Sequence, residues 1–95
     1  MARLSAAAIT EQLASLSAWI RDGQAIQREF TFPSFLEAVA FANRVAMEAE
    51  RADHHPDIVI RFRSVMLVYV THSESGLTQK DFDGARVADR VAEAR

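Results

Sequence analysis

Two adjacent histidines, His54 and His55, follow an acidic helical stretch and precede a proline in the segment EAERADHHPDIVI, residues 48–60. Glu50 lies four residues before His54, a spacing at which two side chains meet across one turn of a helix. Imidazole exchanges protons near neutral pH, and a neighbouring carboxylate favours its charged form. This cluster therefore indicates general acid–base chemistry.

A third histidine, His72, ends the apolar segment VMLVYVTH, residues 65–72. If this segment is one strand, side-chain alternation places His72 on the face that carries Met66, Val68 and Val70. From that face its ring could close a pocket opposite the histidine pair. We therefore predict that three imidazoles and a carboxylate surround one shared cavity.

Other roles remain open for these residues. A histidine at a strand end is usually a surface residue, and the spacing of Asp81 from Thr78 suits a helix cap. Asp53 could bond to the turn that ends its helix. A metal site is a further alternative, but adjacent histidines seldom bind one ion and no H-E-x-x-H pattern occurs. We favour the acid–base site and expect no metal.

Composition narrows the class of protein. The 95 residues are 49% apolar and 25% charged with a formal net charge of -2, which predicts one globular domain over residues 1–95. The sequence has no stripe of basic residues, so nucleic acid is not expected as a partner. Cysteine is missing, which excludes disulfides and fits a reducing cytoplasm.

Thr10, Glu11 and Gln12 interrupt the first apolar residues before a secretory signal could form, and no apolar run has the length of a membrane span. We expect a cytoplasmic protein with no membrane or nucleic-acid partner.

Seven elements are predicted to position the site. Asp22-Gly23 marks a hairpin turn, and Ser34 with Glu37 forms a capping box at a helix start. The predicted elements are a helix over 5–16, strands over 19–21 and 25–32, a helix over 34–53, strands over 58–62 and 65–72, and a helix over 79–94. The order α-β-β-α-β-β-α predicts an α+β fold, a four-stranded antiparallel sheet with helices packed on one face. Because the strand over 65–72 is apolar on both faces, we expect another subunit to cover part of the sheet.

Three stretches together resemble the pterin-4a-carbinolamine dehydratase family, whose animal members are also described as dimerisation cofactors of a homeodomain transcription factor. They are DGQAIQREFTFPSFLEAVAFANRVAMEAE at 22–50, AERADHHPD at 49–57 and THSESGLTQKD at 71–81. The resemblance implies the same α-β-β-α-β-β-α fold, with sheets joined edge to edge in a dimer and dimers paired through helices into a tetramer. It also implies loss of water from a 4a-hydroxytetrahydropterin, which gives the quinonoid dihydropterin in the recycling of the hydroxylase cofactor. No metal or organic cofactor is implied.

The resemblance also assigns roles to residues. His54 and His72 would act as general acids on the departing hydroxyl. His55 would mainly bind substrate and could assist catalysis, and Glu50 would support the histidines and could act as a base. The pterin would lie against the backbone of Asp53 to His55 and against a second group of residues, which comprises Thr71, His72, Ser73 and Glu74, with Asp81 as a further acidic position and Trp19 near the ring. A non-catalytic interaction module on the same fold is the alternative, which the intact Glu50, His54, His55 and His72 argue against.

Four positions depart from the family pattern. Ile58 stands where an aromatic residue is usual, and Phe62 replaces a tyrosine. Arg63 replaces an asparagine that would tolerate positive φ in a tight hairpin, so the turn shape is in question. Gly84 replaces a leucine in the last helix, which predicts a cost of roughly 1 kcal/mol relative to alanine together with lost packing.

Overall fold

The computed structural model describes residues 2–94. Its elements are helix α1 (Ala6–Ala14), strands β1 (Ile20–Asp22) and β2 (Ala25–Thr31), helix α2 (Phe35–Ala52), strands β3 (Asp57–Arg61) and β4 (Ser64–Tyr69), and helix α3 (Gln79–Glu93), with a 3-10 turn at His72–Glu74 before α3. The predicted order α-β-β-α-β-β-α is confirmed. Within residues 2–94, no helix combines the length and the apolar character needed to cross a membrane.

The four strands form one antiparallel sheet in the order β1-β2-β4-β3. Gly23 adopts a positive φ of 61° in the β1–β2 turn, the conformation that the Asp-Gly signal predicted. Strand β4 is central, and its residues alternate between buried and half-buried. Val65, Leu67 and Tyr69 therefore point to the core, where the helices pack on one face of the sheet.

The core joins the sheet to α2 and α3. Phe41 and Phe82 are fully buried side chains from these two helices, and they share one apolar cluster with Ile26 and Leu67 of the sheet. Burial of a side chain of this size stabilises the fold by about 1.5–3 kcal/mol relative to exposure. This cluster fixes α2 and α3 against β4, the strand whose end leads into the predicted site.

Helix α2 begins and ends as its sequence indicates. The Ser34 hydroxyl accepts a hydrogen bond of 3.2 Å from the backbone N–H of Glu37. At the other end Asp53 is in the left-handed region (φ 51°, ψ 42°), and it closes the helix as its C-cap. Because the chain reverses at Asp53, His54 lies outside the helix, and the helical spacing that relates it to Glu50 no longer applies.

One prediction about strand β4 is wrong, and one open question about the β3–β4 turn is answered. Strand β4 ends at Tyr69 and does not reach His72, because Thr71 pairs with Gly76 and closes a loop over 71–76. His72 lies in the 3-10 turn, so strand alternation does not set its direction. In the β3–β4 turn the residue with positive φ is Phe62, at 50°, and Arg63 is not a positive-φ residue.

Candidate active site

The three histidines line one cavity of about 330 Å³. It lies where the C-terminal end of α2, the end of β4 and the 3-10 turn meet. Its lining residues are Asp53, His54, His55, Val70, Thr71, His72, Ser73, Glu74 and Lys80. The structure therefore brings His72 to the histidine pair, together with most of the predicted substrate contacts.

The ring of His54 contacts a buried carboxyl group, that of Asp81. Its Nε2 lies 2.6 Å from Oδ1 of Asp81, and the Asp81 side chain is 0% exposed. The other carboxylate oxygen, Oδ2, accepts hydrogen bonds from the Thr78 backbone N–H at 2.9 Å and from the Thr71 hydroxyl at 2.8 Å. Asp81 thus completes with Thr78 the capping box that their spacing predicted, and it is also the partner of His54.

The contact with Asp81 fixes which ring nitrogen of His54 carries hydrogen when this carboxyl group is ionised. An ionised carboxylate only accepts, so Nε2–H donates to Oδ1 and Nδ1 is the ring nitrogen available for proton transfer. The Thr71 hydroxyl gives its hydrogen to Asp81, so the Thr78 hydroxyl donates to Thr71 across 2.7 Å. A carboxylate that fixes the tautomer and orientation of an imidazole is a recurrent arrangement in acid–base catalysis.

Glu50 pairs with the second histidine of the pair. Its Oε2 is hydrogen-bonded to Nε2 of His55, and both side chains are largely exposed, at 77% and 54%. The expected contact between Glu50 and His54 is therefore wrong, since His54 is paired with Asp81 across the C-cap reversal. Solvent screens the exposed pair, so its contribution to stability is about 0–1 kcal/mol.

The ring of Tyr69 stacks on His54, with ring centroids 6.1 Å apart and an interplanar angle of 21°. Behind the tyrosine lies a second cavity of about 310 Å³ between α2 and α3. It is lined by Glu48, Ala49, Ala52, His54, Tyr69, Lys80, Asp83, Gly84 and Val87. His54 and Lys80 line both cavities, so the apolar space adjoins the histidine cavity.

Gly84 makes room for this tyrosine. A Cβ atom at position 84 would lie 2.6 Å from Cε1 and 2.8 Å from Cζ of Tyr69, closer than real carbon contacts. The loss of packing expected at Gly84 is therefore wrong, because the tyrosine ring occupies the space next to it.

Tyr69 provides a spectroscopic prediction. Burial, and secondly the negative charge of Asp81, raise the pKa of Tyr69 to about 12. It is the only tyrosine of the chain, so the near-ultraviolet absorbance of phenolate reports its titration alone. We expect a midpoint near pH 12 in the folded protein and a return to about 10 in denaturant.

The same shift makes stability depend on alkaline pH. The unfolded chain releases the phenolic proton at a lower pH than the folded chain does, so the stabilising contribution is complete below about pH 10. It is lost as pH rises through the folded pKa of about 12. A folded-state midpoint equal to that in denaturant would contradict this assignment.

Trp19 lies apart from the histidine cavity. It is buried in the core against Phe30 and Tyr69, and its Nε1–H donates to Oδ1 of Asp89 at 2.9 Å. Since Tyr69 stands between Trp19 and His54, this placement does not support the predicted contact between Trp19 and the pterin.

Sequence reasoning missed two residues of this region and assigned a third, Thr78, only to a helix cap. Lys80 lines both cavities, Tyr69 stacks on His54, and Thr78 supports Asp81. The position of Lys80 beside Asp81 in the first turn of α3 was the available signal for the lysine. In the part of the chain described here, no group of three histidine or acidic side chains is arranged to hold a metal ion.

Comparisons of this chain with a family model and with known sequences agree with each other. The family model described as pterin 4 alpha carbinolamine dehydratase matches residues 2–91. A protein of Roseiflexus sp. (strain RS-1) is 52% identical over 89 residues, which cover 94% of this chain and 96% of the relative. A protein of Acidobacterium capsulatum is 51% identical over 83 residues, covering 87% and 90%. Both relatives are named provisionally as pterin-4-alpha-carbinolamine dehydratases.

Two solved structures share the fold. A transcriptional coactivator/pterin dehydratase from Brucella melitensis superposes with a TM-score of 0.89 at 35% identity, covering 95% of this chain and 98% of that chain. A pterin dehydratase-like protein identified as a RuBisCO assembly factor in the alpha-carboxysome has a TM-score of 0.65 at 20% identity, covering 78% and 86%. The second likeness concerns the fold alone.

Proposed function

Because the chain belongs to the pterin-4-alpha-carbinolamine dehydratase family, and is therefore an enzyme of the hydro-lyase class, we propose that its histidine cavity binds a 4a-hydroxytetrahydropterin and removes water from it. The observation that carries this proposal is that His54, His55 and His72 line one cavity, with a buried carboxylate behind His54. The volume of about 330 Å³ lies at the lower end of the range for small-ligand pockets.

The chemistry requires one proton donor and one acceptor. The bond from C4a to the hydroxyl oxygen breaks while an imidazolium protonates that oxygen, so the group leaves as water. The lone pair of the ring nitrogen forms the new double bond, and a base takes the ring N–H proton, giving the quinonoid dihydropterin. A reductase would return this product to the tetrahydro form. General acid–base catalysis of this kind typically contributes about 10²–10⁴-fold.

We assign the proton transfers to His54 and His72. Asp81 orients His54 and leaves its Nδ1 for exchange with the substrate. His72 is exposed in the 3-10 turn and lines the same cavity, so it can approach the ligand from the second segment. His55, which is hydrogen-bonded to Glu50, contributes to substrate binding.

Thr71 supports the site in a different way. Its hydroxyl is hydrogen-bonded to Asp81 and Thr78, its N–H donates to the Gly76 carbonyl, and its own carbonyl accepts from Glu74 and Gly76. Because these groups are already paired within the protein, we assign Thr71 to orienting Asp81. The polar contacts to the pterin then fall to Asp53, Ser73 and Glu74 around the rim.

The test is a dehydration assay with purified protein and a chemically generated 4a-hydroxytetrahydropterin, followed by the absorbance of the quinonoid product. We expect the wild-type protein to exceed the buffer rate, and we expect the triple variant His54→Ala/His55→Ala/His72→Ala to fall to the buffer rate while its circular dichroism stays native. Equal rates for wild type and buffer would overturn the enzyme proposal and favour the non-catalytic interaction module. Stoichiometric metal in untagged protein, with activity lost to a chelator, would favour the metal site.

We also propose that the protein is a homodimer or homotetramer. Large apolar side chains are exposed on the outer face of α2, where Leu36 is 77% and Met47 54% exposed, and in the β3 hairpin, where Phe62 is 71% exposed. Strand β3 is also an edge of the sheet, with unpaired backbone groups that another copy could extend. Exposed apolar patches of this kind usually mark interfaces.

Light scattering after size exclusion tests this assembly. We expect a mass of two or four times the 10.6 kDa of one chain, and a smaller assembly for the variant Leu36→Lys/Met47→Lys. The control is Ile20→Lys, an exposed apolar position (59%) on the opposite edge strand β1, which should leave the mass unchanged. A wild-type protein that stays monomeric at all concentrations would contradict the proposal.

A further inference from the structure

The ring of Tyr69, a side chain outside the histidine cluster, stacks on the face of His54. The hydrogen bond to Asp81 holds one atom of the imidazole, Nε2, at 2.6 Å. A single hydrogen bond at the ring edge restrains that atom but leaves the ring plane free to tilt about it. The Tyr69 ring stacks on this plane with an interplanar angle of 21°, so it is placed to oppose such a tilt.

Tyr69 is itself held firmly. It is 3% exposed, its Ile26 partner on β2 fixes its backbone in the sheet, and the indole of Trp19 contacts its ring with centroids 6.0 Å apart. On another side its ring contacts α3 at Gly84, where even a Cβ atom would overlap the ring. Glycine is unfavourable within a helix, so its presence at this contact is consistent with a requirement for the space.

We propose that Tyr69, seated on Gly84, is a positioning residue that fixes the plane of the His54 imidazole for proton transfer. This inference rests on the proposed dehydratase function. Proton transfer depends on the alignment of donor and acceptor, so a tilted imidazole should lower kcat while substrate binding by the other cavity residues persists. The ring, not the hydroxyl, performs this role.

The test compares three single variants and one double variant. Tyr69→Leu and Gly84→Ala should each lower kcat about tenfold with KM changed by less than about twofold, the first by removing the stacked ring and the second by displacing it. The conservative variant Tyr69→Phe should rescue most of the activity, because it keeps the ring. Tyr69→Leu/Gly84→Ala should be no slower than Tyr69→Leu, because Gly84 acts only through the tyrosine.

A readout that does not depend on turnover is the nuclear magnetic resonance of the His54 ring protons. Their signals should carry a ring-current shift in the wild type and in Tyr69→Phe, and lose it in Tyr69→Leu and Gly84→Ala. The packing control is Phe41→Leu, which also removes a buried aromatic ring, but one whose ring neighbours are Phe30 and Phe32. It should lower stability and leave both the His54 signals and kcat in place.

Two outcomes would overturn the inference. In the first, Tyr69→Leu leaves the His54 signals and kcat at wild-type values. In the second, the losses from Tyr69→Leu and Gly84→Ala multiply in the double variant, which would mean that Gly84 acts independently. If the wild type has no dehydratase activity, the dehydratase proposal fails, whereas the ring-proton signals still report whether Tyr69 holds the His54 plane.

Discussion

Replacement of His54 by alanine should lower the rate of enzymatic pterin dehydration by about 10²–10⁴-fold, the usual contribution of a general acid or base. Among the three histidines, His54 is the one oriented by a buried carboxylate, and its side chain is only 13% exposed. The variant removes the positioned proton donor without removing the cavity. The loss should therefore appear mainly in kcat, measured under saturating substrate.

The neighbouring histidine supplies a matched control. His55→Ala removes the same chemical group one residue along the chain, but from an exposed pair with Glu50. We expect its effect to be mainly on KM, with kcat reduced by less than about tenfold. If His55→Ala lowers kcat as much as His54→Ala does, the assignment of the oriented proton donor to His54 is wrong.

The sequence predicted the element order because each boundary has a local cause. The Asp22-Gly23 turn, the Ser34 cap and the end of α2 at Asp53 depend on residues that are adjacent or three apart, and the structure has all three. Side-chain alternation over 65–72 placed Val65, Leu67 and Tyr69 on the face opposite to the one that carries His72 in the prediction, and this opposite face is the buried one. Side-chain periodicity and the local turn and capping residues were sufficient for these predictions, because local backbone geometry decides where such elements begin and end.

The partners within the site could not be predicted in this way. Glu50 and His54 have helical spacing, yet the left-handed Asp53 lies between them and ends the helix. The true partner of His54 is Asp81, 27 residues further along the chain, and only the packing of α3 brings it there. The end of β4 at Tyr69 depends likewise on the pairing of Thr71 with Gly76.

Gly84, which departs from the family pattern, shows that packing between distant elements also could not be predicted from the sequence. Considered alone, a glycine in a helix indicates lost helix propensity and an unfilled space. The tyrosine that fills the space belongs to the central strand, and no spacing rule relates positions 69 and 84. Compensating changes between distant elements become visible only when their side chains are seen in contact.

Removal of the Asp81 side chain should have the largest effect on stability. Asp81→Ala leaves three groups without their buried acceptor, namely the Thr78 N–H, the Thr71 hydroxyl and Nε2–H of His54. Breaking a buried, hydrogen-bonded charge site typically costs about 3–5 kcal/mol. A domain of this size has a free energy of unfolding of only about 5–15 kcal/mol, so urea denaturation should show a much lower midpoint with the slope unchanged.

Asp83→Ala is the control on the same helix. Asp83 is exposed and bonds to Gln79 at the surface, so its removal should change the free energy of unfolding by less than about 0.5 kcal/mol. Asp81→Asn should fall between the two, because the amide keeps one acceptor oxygen but directs a donor toward groups that also donate. If Asp81→Ala were as stable as Asp83→Ala, the buried carboxylate could not be the anchor that joins α3, the 71–76 loop and His54.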